Sequence, residues 1–138
     1  VLGRRRGVGS RATCLARPMT VLDALLVAMG AALGAPARYL TNHWVRERLG
    51  GTPVAGTLLV NVVGSFVLGL LVGSGADGAP MAMVGIGFCG ALTTFSTLAL
   101  EVWDAMEDDR RRHAVVDVGL SLGLGLGAAW LGWFLTSS

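Results

Sequence analysis

Charge is scarce in this 138-residue chain. Only 14% of its residues are charged, against about 25% in an average soluble domain. Apolar residues make up 53%, and the mean hydropathy is +0.63. An ordinary water-soluble domain is therefore excluded. Cysteine is also rare. Cys14 lies in a basic tail and Cys89 in an apolar run, so a disulfide between them is not expected. With only His43 and His113 beside them, the cysteines are too few for a zinc site. Cys89 reads as a small buried apolar residue, and both histidines read as solvated residues flanking apolar runs. No nucleophile–base pair or metal cluster falls inside those runs, which argues against an enzyme. Acid is absent before Asp23, whereas Arg4, Arg5, Arg6, Arg11 and Arg17 all precede it. No separate apolar core follows these arginines, so a secretory signal is not expected, and a twin-arginine signal would lack its apolar follow-up. Residues 1–18 read as a disordered tail or as a misassigned start upstream of Met19. The net charge of +2 comes from this tail, so it carries no inference about nucleic acid.

What the chain has is apolar length. A membrane-spanning helix needs about 20 mostly apolar residues, and four runs qualify. They are about Val21–Leu40, Val54–Gly73, Met81–Trp103 and Ala114–Leu135. Helices are the expected form, because lipid cannot satisfy an irregular backbone. The expected fold is all-α: residues 19–138 form one membrane domain of four transmembrane helices in the plasma membrane. The connections are short and polar, and Trp44, Trp103, Trp130, Trp133 and Tyr39 fall near span ends, as an aromatic belt would.

Small residues recur one helical turn apart: Gly30 and Gly34, Gly69 and Gly73, and Gly119, Gly123 and Gly127. Such spacing lets helix backbones approach closely, either within the chain or at a subunit interface. Asn61 sits mid-span, where an amide is costly without a partner. It either clamps a neighbouring helix or donates to a passing anion. Arg38 either snorkels to the interface or attracts anions at a pore mouth. Glu101, late in the third span, either snorkels to the interface or has a buried role, and Asp117 and Ser121, one turn apart early in the fourth, read as helix capping or interface solvation or as a polar track.

The most informative segment is Gly85-Ile-Gly-Phe-Cys-Gly-Ala-Leu-Thr-Thr-Phe-Ser-Thr97. Its glycines weaken a helix, and the hydroxyls of Thr93, Thr94, Ser96 and Thr97 can satisfy backbone groups freed by a break. A break within a membrane is tolerated where it is buried in protein or lines a cavity. Exposed carbonyls there suit a hard cation, and an exposed helix N-terminus suits an anion. The Phe95 ring has an electropositive edge against which a small anion could sit. The alternative is that the hydroxyls bond back to their own helix.

These residues resemble a known family. Gly56-Thr-Leu-Leu-Val-Asn-Val-Val-Gly-Ser-Phe66, the segment Gly87–Thr97 followed by Glu101, and Gly30-Ala-Ala-Leu-Gly-Ala-Pro-Ala-Arg-Tyr39 are similar to the signatures of the CrcB/Fluc fluoride channels. The likeness runs from about Met19 to the C-terminus. It implies two four-helix subunits packed antiparallel, with the third helix of each broken at its centre. It implies a structural Na+ between the breaks, held by the Gly90 and Thr93 carbonyls. Asn61 and the Phe95 ring edge would face fluoride, Thr94, Ser96 and Thr97 would supply hydroxyls, and Arg38 would stand near a vestibule. The implied task is passive exit of fluoride trapped in the cytoplasm. Two positions depart from the family pattern: Ala91 replaces a common glycine, and Leu98 stands where many members have a second phenylalanine.

The other classes considered are a small dual-topology drug–proton antiporter and a non-transporting assembly subunit. The antiporter wants an acid deep in the first span, where only Asp23 is present at its start. The assembly subunit leaves Asn61 and the Thr-rich segment unexplained. Arginines bear on orientation. The connections holding Arg46, Arg48, Arg110, Arg111 and Arg112 share one side of the membrane, and the tail with its five arginines lies on the other. With the tail included, five arginines face five, which gives no orientation bias and permits dual topology. A chain beginning at Met19 would keep only the first group and take a fixed orientation with that side cytoplasmic. Together with Leu98, this favours a partner subunit of opposite orientation over a homodimer.

Overall fold

The computed structural model describes residues 18–50, 52–107 and 111–137. The expected tail therefore lies, but for Pro18, outside the described residues. The described residues are helical or in short connections, and four helical segments are long and apolar enough to cross a membrane: Val21–Arg48, Val54–Gly73, Met81–Glu107 and Arg111–Thr136.

The first, α1 (Val21–Arg48), starts in a capping box. Thr20 Oγ1 accepts from the Asp23 N–H at 3.2 Å, and the Thr20 N–H donates to Asp23 Oδ2 at 2.9 Å. Two otherwise unpaired donors are thereby satisfied. The helix continues through Pro36 and runs eight residues beyond the expected end at Leu40. Its polar extension is supported by the His43–Glu47 pair, 3.3 Å apart at i,i+4 spacing, and by Arg46 and Arg48 at its negative end. Gly50, at φ 57°, then turns the chain. The second, α2 (Pro53–Gly73), opens on a proline, where the missing N–H costs nothing.

The third span is composite. A π-helical segment, Met81–Cys89, leads into a single α-helical turn, α3 (Gly90–Leu92). Thr93 is extended (φ −76°, ψ 155°), and α4 (Phe95–Glu107) then continues with an axis bend of only 17°. The last helix, α5 (Arg111–Thr136), completes the set.

The main helix contacts are α2 against α5 and α1 against the π-helical segment. Both are glycine-mediated. A Cβ on Gly30 would run into the Met83 carbonyl, and one on Gly34 into that of Phe88. On the other seam, Gly69 abuts the Ala129 backbone and Gly132 the Phe66 carbonyl. The Gly119, Gly123 and Gly127 repeat behaves differently: space beside all three is open. At 100° per residue these positions lie opposite Ala114, Ser121, Gly125 and Gly132, the buried stripe of α5. The repeat is thus not an internal packing seam. Much of the outer surface is apolar, including Leu22, Leu33, Leu40, Leu126 and Trp130, as lipid contact requires.

Candidate functional site: a groove beside the interrupted third span

Asn61 is the residue around which the site is built. Its Nδ2 donates to the Thr94 carbonyl at 3.2 Å, and its Oδ1 accepts from the Thr94 N–H at 2.8 Å. This two-way bond is the clamp that the sequence offered as one of two roles. In an unbroken α-helix the Thr94 N–H would bond to the Gly90 carbonyl; here Asn61 takes it. The Thr97 N–H, which would bond to the Thr93 carbonyl, instead donates to Thr94 Oγ1 at 3.3 Å. Thr94 thus acts as the N-cap of α4. Both substitutions release a carbonyl from its helical bond, and the two released belong to Gly90 and Thr93.

The neighbouring hydroxyls divide by role. Thr93 Oγ1 bonds back to the Cys89 carbonyl at 2.9 Å, and the Thr93 N–H goes to the same oxygen. Thr94 Oγ1 lies 3.2 Å from Thr97 Oγ1. Ser96 is exposed. Helix-bonded hydroxyls, one of the two sequence readings, therefore describe Thr93, while Thr94 and Thr97 pair with each other.

An open groove of about 580 Å³ runs past the interruption. Asn61, Gly90, Thr93, Thr94, Phe95 and Ser121 line it together, with Leu98 and Cys89 among the apolar walls. Phe95, in the middle of the third span, is 81% exposed. Leu98 is buried. The structure does not bring Arg38 to this groove; it is half-buried on α1. Glu101 lies further along α4, half-buried, with Oε1 accepting from Thr57 Oγ1 at 2.8 Å. Its other oxygen, Oε2, is buried without a hydrogen-bond partner.

Thr57 is the functional-site neighbour that sequence reasoning missed. It is 1% exposed and four residues before Asn61, so both share one face of α2. Thr57–Glu101 and Asn61–Thr94 form two rungs between α2 and α4. The i,i+4 spacing within Gly56–Phe66 carried the signal. Among the described residues there is no group of three or more His, Cys, Asp or Glu that could hold a metal.

Comparison with known proteins identifies the family. Residues 25–133 match the family model described as CrcB-like protein, Camphor Resistance (CrcB). The chain is 48% identical over 116 residues to the fluoride-specific ion channel FluC 2 of Rhodococcus jostii, covering 84% of this chain and all of that one. It is 46% identical over 109 residues to FluC 1 of Geobacillus kaustophilus, with 79% and 93% covered. To FluC 1 of Nocardia farcinica it is 40% identical over 134 residues, with 97% and 94% covered. With its four apolar helices, the chain is a multi-pass membrane protein that belongs to the CrcB family.

Proposed function

We propose that this protein is a subunit of a fluoride-selective channel that lets cytoplasmic fluoride leave the cell passively across the plasma membrane. The observation that carries the reading is the near full-length likeness to relatives named fluoride-specific ion channels. The groove supplies chemistry suited to it. A small anion that sheds water needs closely placed positive contacts. Asn61 keeps one N–H beyond the bond to Thr94. Phe95 presents its ring, whose edge is electropositive. The hydroxyls of Thr94, Ser96, Thr97 and Ser121 can turn to donate, while Arg38 raises the local anion concentration at a vestibule. Glu101, fixed by Thr57, supports the polar side of the path.

The interruption at Thr93–Thr94 acts as the central break of the third helix. The carbonyls of Gly90 and Thr93, released there from helical bonding, fit a Na+ ion, a hard cation that prefers oxygen ligands. Bound between two subunits, Na+ would supply fixed positive charge and tie the breaks together. The groove is open along one side, so a second subunit, packed antiparallel, closes it. That subunit is either a second copy or a paired homologue of opposite orientation. Leu98 favours the homologue, because an alkyl group offers no positive ring edge and a partner's ring would supply it.

Ion efflux from liposomes tests the reading. Vesicles containing the protein, with its partner subunit where one is encoded, should release fluoride rapidly and retain chloride, which is too large for a site fitted to fluoride. Chloride flux comparable to fluoride flux would contradict selectivity, and no flux of either ion would contradict the channel.

A further inference from the structure

A second cleft, of about 600 Å³, lies on the outer surface where the end of α1 meets α2. Its floor is apolar, formed by Leu40 and Leu59, and its rim carries His43, Trp44, Glu47 and Arg48. None of these lines the groove described above. Depth in the membrane follows from length. At 1.5 Å per residue, the 28 residues of α1 extend about 42 Å, against a hydrocarbon core of about 30 Å. The apolar run Val21–Leu40 fills that core, so Thr41–Arg48 stand at head-group level.

Contacts along the last turns of α1 link the rim residues. Tyr39 and His43 stack with centroids 6.1 Å apart and planes within 6°, and His43 Nε2 lies 3.3 Å from Glu47 Oε2. Three features favour a cation: the Glu47 carboxylate, the negative end of α1, and the ring of Trp44, a residue 53% exposed. Beside them Arg48 offers a guanidinium suited to phosphate. A purely anionic head would meet the helix end and Glu47 unfavourably. A zwitterionic head satisfies both signs, and acyl chains extend over Leu40 and Leu59.

We propose that this cleft binds a phospholipid with a phosphate–primary-ammonium head, of the phosphatidylethanolamine class. The phosphate lies against Arg48 and the ammonium against Glu47 and Trp44. A primary ammonium is preferred over choline because its N–H groups can donate to the Glu47 carboxylate. The site is independent of ion conduction and requires only that the protein span a bilayer.

Native mass spectrometry of the full-length protein in detergent tests this, with phosphatidylethanolamine, phosphatidylcholine and phosphatidylglycerol of identical acyl chains. An exposed ion pair is worth up to about fivefold in affinity, so the wild type should prefer the ethanolamine lipid to the choline lipid by up to that factor. Glu47→Gln should abolish the preference, and Arg48→Gln should weaken both lipids. The wild type alone gives a second reading: binding should fall stepwise as the ethanolamine nitrogen is methylated. Equal binding across the methylated series, an unchanged preference in Glu47→Gln, undiminished binding in Arg48→Gln, or phosphatidylglycerol bound above phosphatidylethanolamine would each overturn the proposal.

Discussion

The two halves of the third span are held in place by different means. The first half, Met81–Leu92, is fixed by backbone contact. Gly87 lies against the Val27 carbonyl, and Gly30 and Gly34 let α1 close onto the Met83 and Phe88 carbonyls. The second half, Thr93–Glu107, packs on α5 and is held to α2 by side-chain hydrogen bonds, with Asn61 on Thr94 and Thr57 on Glu101. A backbone seam tolerates no added atom, whereas a side-chain clamp can hold an interrupted chain while leaving neighbouring groups open to a groove. Rigidity is concentrated in one half and accessible polar chemistry in the other.

The largest effect should come from filling the backbone seam. Gly30→Leu forces α1 away from the π-helical segment, and overpacking of this kind costs about 1–3 kcal/mol or more. The expected result is a sharp loss of folded, monodisperse protein in detergent, read by size-exclusion chromatography and thermal unfolding. Near-normal stability would mean that the seam is looser than its contacts require.

Breaking the clamp should cost less. Asn61→Ala leaves the Thr94 N–H and carbonyl without these partners, and stranding a buried polar group costs about 1–3 kcal/mol. Unfolding temperature and fluoride flux should fall together. Asn61→Asp sharpens the comparison, because it keeps an acceptor for the Thr94 N–H but loses the donor. Its stability should lie between wild type and Asn61→Ala, while its flux should be at least as low. An Asn61→Ala protein as stable and as conductive as wild type would show that Asn61 is neither clamp nor contact.

The sequence made the architecture readable because apolar run length alone decides which helices can cross a bilayer. Span ends were less legible. Leu40 marked where the apolar run stops, yet α1 continues to Arg48, since helix propensity, the His43–Glu47 pair and favourable end charges do not require apolar residues. Thr20 and Asp23 spelled a capping box, and that signal went unread. The π-helical winding of Met81–Cys89 had no legible mark, because an apolar run with several glycines shows no distinctive period. Glycine spacing identified small-residue stripes but not their direction: Gly30 and Gly69 face neighbours, whereas Gly119, Gly123 and Gly127 face open space. At the site, Asn61 was readable as a mid-span amide that needs a partner, and Thr94 as a hydroxyl able to satisfy freed backbone groups. That they partner each other, and that Thr57 holds Glu101, depends on the register of α2 against α4, which one chain's pattern does not encode.

Phe95 gives the most direct test of the central claim, that the side-chain-held half of the third span is the conducting half. Its ring is 81% exposed and contributes little to packing within the subunit. Phe95→Ile should therefore change the stability of the subunit fold by no more than about 0.5 kcal/mol, as surface substitutions usually do. Fluoride efflux from liposomes, measured with a fluoride electrode at matched protein incorporation and matched oligomeric state, should nevertheless fall severely. Full wild-type efflux in that preparation would contradict the account.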